Sequence, residues 1–148
     1  NLRRTGEDVR RIVSEGKGWN VRLCKGAYLE PPEIAFPALS DVNRNYLACT
    51  RILLSPESMA KGTLPCFATH DEAMLRGVKE AAAAVPKDRY EMQMLYGIRR
   101  DLQLTLTKEG HRIRVYVPYG PEWYPYFMRR LAERPENLGF ILRNAFRG

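Results

Sequence analysis

Leu64-Pro65-Cys66-Phe67-Ala68-Thr69-His70-Asp71-Glu72 is the segment on which the fold turns. Leu64 to Ala68 has the length and apolar character of a short buried strand. Thr69 to Glu72 follows without a break and carries the polar side chains that open helices. The helical pattern then runs to about Ala84 and ends at Pro86, which a helix interior does not accept. A buried strand feeding directly into a helix is the repeating unit of α/β proteins.

The same unit recurs on both sides. Trp19 to Cys24 alternates Trp19, Val21 and Leu23 with Asn20 and Arg22, a strand pattern. A loop through Pro31, Pro32 and Pro37 leads to a helix over Asp41–Leu54, anchored by Val42, Tyr46, Ile52 and Leu53 and capped by Ser40 or Asp41. Tyr90 to Leu95 reads as a strand and Gly97 to Lys108 as a helix ending at Gly110. Ile113 to Val117 is the clearest strand, and Trp123–Arg134 and Glu136–Phe146 are helical stretches broken by Pro135. Ahead of all these, Leu2 to Ser14 sets Leu2, Val9, Ile12 and Val13 on one helical side, stopped by Gly16 and Gly18. One helix followed by four βα units implies a parallel sheet covered by helices.

Composition narrows the class. The chain has 148 residues, 45% hydrophobic and 28% charged, which fits one globular domain and excludes disordered or collagen-like structure. No apolar run approaches the roughly 18 residues of a membrane span. The start, Asn1-Leu2-Arg3-Arg4, has neither an initiator Met nor an apolar signal stretch, so the expectation is a cut inside a longer protein. The balance of 24 basic and 17 acidic residues, net +7, favours anionic partners without choosing among them. Cys24, Cys49 and Cys66 form no CxxC pair, and His70 and His111 have no partners at ligand spacing, so neither a disulfide framework nor a metal site is expected. Reduced cysteines suit a cytosolic setting.

Four βα units fit either a small open sheet or half of a (β/α)8 TIM-type barrel. The half barrel is the expected architecture, because polar residues sit at or just beyond every strand end: Arg22 and Lys25, Thr69 and His70, Gln93, Tyr116. In a barrel that rim carries the chemistry.

Three clusters are candidate sites. Arg22 to Tyr28 (RLCKGAY) puts two cations beside Gly26, where backbone can approach an anionic or electron-rich ligand; a solvated strand end is the plainer alternative. Thr69 or His70 lies where a helix N-terminus would offer N–H groups to a phosphate, against a simple cap by Thr69. Tyr126, Arg129, Arg130 and Glu133 share one helix face. Paired guanidiniums can grip a carboxylate, with Glu133 holding Arg130 and Tyr126 as a wall, against a solvated charged face. The cations are interleaved with Glu and Met, and no nucleic-acid-binding motif is present, so nucleic acid is not the expected partner. Tyr119, Trp123 and Tyr124 read as packing, whereas Tyr116 stands at the rim of the strongest strand.

Along essentially its whole length the chain resembles the C-terminal half of the proline dehydrogenases, flavoproteins with a distorted (β/α)8 barrel. The resemblance rests on Arg22–Tyr28, on Phe67-Ala68-Thr69-His70, on Glu91-Met92-Gln93-Met94-Leu95-Tyr96-Gly97, and on the YxxRRxxE spacing of Tyr126 through Glu133. It implies that residues 1–148 are the last four βα units plus a C-terminal helix of one barrel domain. It implies FAD as cofactor, with Arg22 near flavin N5 as the catalytic residue. Lys25, Gly26, Ala27 and Tyr28 would contact FAD, Thr69 and His70 would lie on its pyrophosphate or adenosine side, and Glu133 would bond the flavin chain or orient Arg130. Arg129 and Arg130 would hold the carboxylate of L-proline, with Tyr116 and Tyr126 against its ring. The implied reaction is hydride transfer from proline to flavin, giving Δ1-pyrroline-5-carboxylate, with a membrane quinone as electron acceptor. The implied partners are the N-terminal half of the barrel and, through the basic surface, the inner membrane face of the cytoplasm. A basic α/β module for nucleic acid or a phosphorylated ligand is the alternative.

Overall fold

A computed structural model of the chain describes residues 1–26, 30–125 and 128. Helix α1 (Thr5–Glu15) buries Val9 and Val13 and closes at Gly16, whose φ of 64° is left-handed and suits glycine. Leu2 is not part of it. Leu2 instead bridges Ala35 antiparallel, and the Arg3 N–H donates to the Ile34 carbonyl at 2.9 Å. An extended pairing with a distant loop thus replaces the first helical turn. Strand β1 (Asn20–Cys24) follows.

Helix α2 (Leu39–Leu53) starts before the expected Ser40 or Asp41 cap, with Ala38 at the cap position and no side-chain capping bond. The helix begins almost directly after Pro37, so Asp41 falls in the first turn, where its charge favours the helix dipole. Helix α3 (Pro56–Ala60) was not foreseen; the Ser55 hydroxyl caps it by accepting from the Ser58 N–H at 3.2 Å. Strand β2 (Leu64–Ala68), helix α4 (Glu72–Ala81), strand β3 (Glu91–Leu95), helix α5 (Arg100–Lys108) and strand β4 (Ile113–Tyr116) complete the alternation. The stretches expected to be helical after Trp123 lie largely outside the described residues; 123–125 and 128 are helical.

The sheet is parallel throughout, in the order β1-β2-β3-β4. Each strand neighbours the next in sequence, the winding of a barrel; an open doubly wound sheet reverses its order at a switch point. Period-two alternation gives the sheet two distinct faces. Leu23, Phe67, Met92 and Met94 pack on the helices, joining Val9, Val13, Tyr46, Leu53, Met74, Leu75, Val78 and Leu106 in one core. The other face carries Arg22, Cys66 and Glu91, then Cys24, Ala68, Gln93 and Arg114, then Leu95 and Tyr116. Among the described residues β1 and β4 each pair on one side only.

Candidate functional site

The Arg22 guanidinium lies over the Tyr116 ring, with 4.8 Å from Cζ to the ring centroid. Arg22 is on β1 and Tyr116 on β4, with two strands between them. At the usual interstrand spacing a flat sheet would hold those edges roughly 14 Å apart. The two side chains meet because the sheet curls toward the polar face. That concavity is the curvature a closing barrel needs.

At the strand ends the polar residues are already bonded to one another. Lys25 is 4% exposed, and its Nζ donates to Asp71 Oδ2 at 2.7 Å. Asp71 Oδ1 accepts from the Ala73 and Met74 N–H groups at 2.9 and 3.3 Å, so Asp71 caps α4. This corrects the expectation that Thr69 caps the helix or leaves its N–H groups open to a phosphate. Thr69 Oγ1 accepts from the Asp71 N–H at 3.1 Å and closes the turn before the helix. A carboxylate has acceptor capacity for two N–H groups and a lysine together, which a hydroxyl lacks. Burial works to raise the Asp71 pKa, but the Lys25 ammonium and the helix N–H groups outweigh it and the net direction is down.

His70 Nε2 accepts from the Leu95 N–H at 2.9 Å and ties the end of β2 to that of β3. An accepting Nε2 carries no proton, so the imidazole is the Nδ1–H tautomer. Gly26 has a φ of 82°, and a Cβ there would lie 2.4 Å from the Asn1 side-chain oxygen.

Deeper on the concave face is a network that sequence reasoning missed. The Glu91 side chain is 2% exposed. It accepts from Arg114 Nε and Nη2 at 2.7 and 2.9 Å and from Gln93 Nε2 at 2.7 Å, with Arg112 at 3.4 Å. Arg114's bonds above all hold the Glu91 carboxyl below its ordinary range. The signal was present: Glu91 and Gln93 share one face of β3, and Arg114 on the next strand follows Arg112 at the same two-residue spacing. Gln93, singled out from the sequence, is thereby fixed. A carboxylate only accepts, so it takes the amide NH2 of Gln93. Ala27, Tyr28, Tyr126, Arg129, Arg130 and Glu133 lie outside the described residues. Among the described residues, no three His, Cys, Asp or Glu side chains converge to hold a metal ion.

Curvature, winding order and a polar concave face agree with the comparison to known families. The proline dehydrogenase family matches residues 3–143. The chain belongs to the proline dehydrogenase family. It is 47% identical over 131 residues to a proline dehydrogenase of Deinococcus radiodurans, covering 87% of this chain and 41% of that protein. Proline dehydrogenase 2 of Bacillus subtilis is 47% identical over 125 residues, 83% of this chain and 40% of that protein. A crystal structure of proline utilization A (PutA) from Bdellovibrio bacteriovorus, inactivated by N-propargylglycine, superposes with a TM-score of 0.78 at 32% identity. That match covers 88% of this chain and 15% of the larger one. The chain thus spans about two fifths of the length of these proline dehydrogenases, and its fold is part of a TIM-type barrel.

Proline dehydrogenases depend on FAD. Arg22 already lies against a flat aromatic ring. The carboxylates of Asp71 and Glu91 are each paired with a cation, so neither presents an unbalanced negative charge. Among the described residues no helix is long and apolar enough to cross a membrane.

Proposed function

We propose that residues 1–148 form the C-terminal part of one proline dehydrogenase barrel domain, which oxidises L-proline to Δ1-pyrroline-5-carboxylate. FAD, when bound, supplies the hydride acceptor at N5, and proline C5 is the donor. Arg22 is the catalytic residue of this chain. Its cation at the concave face favours negative charge developing beside it. Lys25, Gly26, Ala27 and Tyr28 contact the cofactor, with Thr69 and His70 toward its pyrophosphate or adenosine and Glu133 at its chain. Arg129 and Arg130 bind the substrate carboxylate by paired, bidentate hydrogen bonds, and Tyr116 and Tyr126 enclose the ring.

The single observation that supports this reading most is the meeting of Arg22 and Tyr116 across the curled sheet. It brings a proposed flavin residue and a proposed substrate residue to one place, although they are 94 positions apart in sequence. Electrons pass on to a membrane quinone, from a cytoplasmic protein that touches the inner membrane face through its net +7 charge. The complementary N-terminal half of the barrel is the required partner. The test combines this chain with those four βα units. Yellow colour and proline-dependent reduction of a quinone analogue are expected; a clear, folded, colourless assembly with no affinity for FAD overturns the reading.

A further inference from the structure

Asp71 stands at a junction of three residues assigned to the cofactor. It holds Lys25, its own N–H is held by Thr69, and it directly follows His70. Its second oxygen takes the N–H groups of Ala73 and Met74, in the first turn of α4. Those two donors are therefore already taken by a carboxylate of the chain itself, and an incoming phosphate cannot use them. Lys25 is in the opposite position. Its ammonium has three donors, and Asp71 takes one of them. At 4% exposure the ammonium is held in place by the carboxylate beside it.

We propose that Asp71 is a positioning residue for the cofactor: it withholds the Ala73 and Met74 N–H groups of α4 from phosphate and holds the buried Lys25 ammonium so that Lys25 meets the phosphate-bearing ligand instead. The proposal rests on the reading that this site takes FAD. Because Lys25 and Asp71 together are neutral, Lys25 binds by directed hydrogen bonds more than by long-range attraction.

A double-mutant cycle in the assembled barrel tests this, with Asp71→Asn, Lys25→Met and the two combined. Asn keeps a side-chain oxygen to cap α4 while removing the charge. FAD affinity is read by flavin fluorescence. With Lys25 present, Asp71→Asn weakens binding about tenfold or more. With Met at position 25, the same change has almost no effect. Equal losses in both backgrounds mean that Asp71 acts only through helix α4, and the proposal fails.

A second readout needs no FAD. Limited acetylation is followed by mass spectrometry at Lys25, with Lys61 and Lys87 as internal controls. A Lys25 side chain no longer tied to a carboxylate leaves its 4% exposed position more often, meets the reagent and acylates faster. Asp71→Asn raises the Lys25 rate about tenfold or more while the controls hold. An unchanged Lys25, or a rise shared by all three lysines, overturns the positioning role. A wild-type barrel that ignores FAD, with Lys25 still responding, overturns the cofactor reading and the phosphate half of this proposal while leaving the Asp71–Lys25 coupling standing.

Discussion

Arg22 on the first strand and Tyr116 on the last are in cation–π contact at 4.8 Å. A guanidinium over a phenol ring is worth about 0.5–1 kcal/mol where water reaches it, too little to curl a sheet. Both side chains therefore report a curvature that the strands and helices already impose. The fixed order β1-β2-β3-β4, with Leu23, Phe67, Met92 and Met94 packed on the helices, bends the opposite face inward.

Arg22→Met tests the proposed catalytic role. If the cation favours charge developing during hydride transfer, the substitution slows flavin reduction in a single turnover about 100-fold or more. Proline binding should change far less, since the proposed carboxylate grip is Arg129 and Arg130. A variant with normal single-turnover reduction removes Arg22 from the chemistry.

Arg129→Met and Arg130→Met probe that grip. Loss of a charged hydrogen bond to a buried carboxylate costs about 1.5–3 kcal/mol. The expected result is a KM for proline raised about tenfold or more, with FAD still bound. Unchanged steady-state kinetics in both variants would remove the carboxylate assignment.

Glu91→Gln addresses the network that the linear pattern did not reveal. The partners Arg112 and Arg114 are 48% and 59% exposed, which weakens the pair, so the expected loss is about 1–2 kcal/mol at neutral pH. Arg114 above all depresses the folded-state pKa of Glu91. The unfolded chain takes up the proton first, so this stabilisation is full above the ordinary value of 4.5 and fades as pH falls through the folded one. Tm measured from pH 7 down to 3 should show wild type and variant converging on the acid side. A constant gap means the charge is not the source.

The path from sequence to site was clear where the signal is local. The bounds of β2, Leu64 to Ala68, are those its apolar run defines, and Gly16 ends α1 with the left-handed φ that glycine permits. The rest needed contacts that no window contains. Leu2 has helical spacing with Val9 yet pairs with Ala35, 33 residues on. Helix α3 has five residues, too few for a period to show. Thr69 and Asp71 are both good caps, and the choice between them is made by Lys25, 46 residues earlier than Asp71. Glu91 meets Arg114 only because β3 and β4 adopt a particular register.

His111 offers a second acid-side signature. It is buried before β4, with Nδ1 3.1 Å from the Tyr90 hydroxyl and Nε2 3.4 Å from Glu109. Burial first, then the nearby Lys87, lowers its pKa, although Glu109 pulls the other way. The unfolded histidine protonates near its ordinary 6.5 while the folded one resists. Stability is therefore full above that value, falls as pH drops from it to the folded pKa, and levels off below. His111→Gln keeps an acceptor for Tyr90 and removes the titration. Its Tm should be flatter than wild type over that window, and an unchanged slope would assign the pH dependence to another group.

The last prediction concerns the two sheet edges. In the described chain β1 and β4 each leave one row of backbone N–H and C=O groups without a strand partner, beside a concave face carrying Arg22, Glu91, Gln93 and Arg114. Exposed edges of this kind pair with other chains. Near β4, Val115 is 38% exposed and Val117 62% exposed, which adds apolar surface to that edge. The 148-residue chain on its own should therefore self-associate, hold FAD weakly or not at all, and show no proline oxidation. Adding the complementary N-terminal half should abolish the self-association and restore colour and activity together, because one event, pairing at β1 and β4, closes the edges and completes the concave site. Sedimentation and flavin absorbance followed through the same titration measure both. A monodisperse 17.1 kDa species that stays monomeric and ignores the N-terminal half would mean that these edges are not the seams of a barrel.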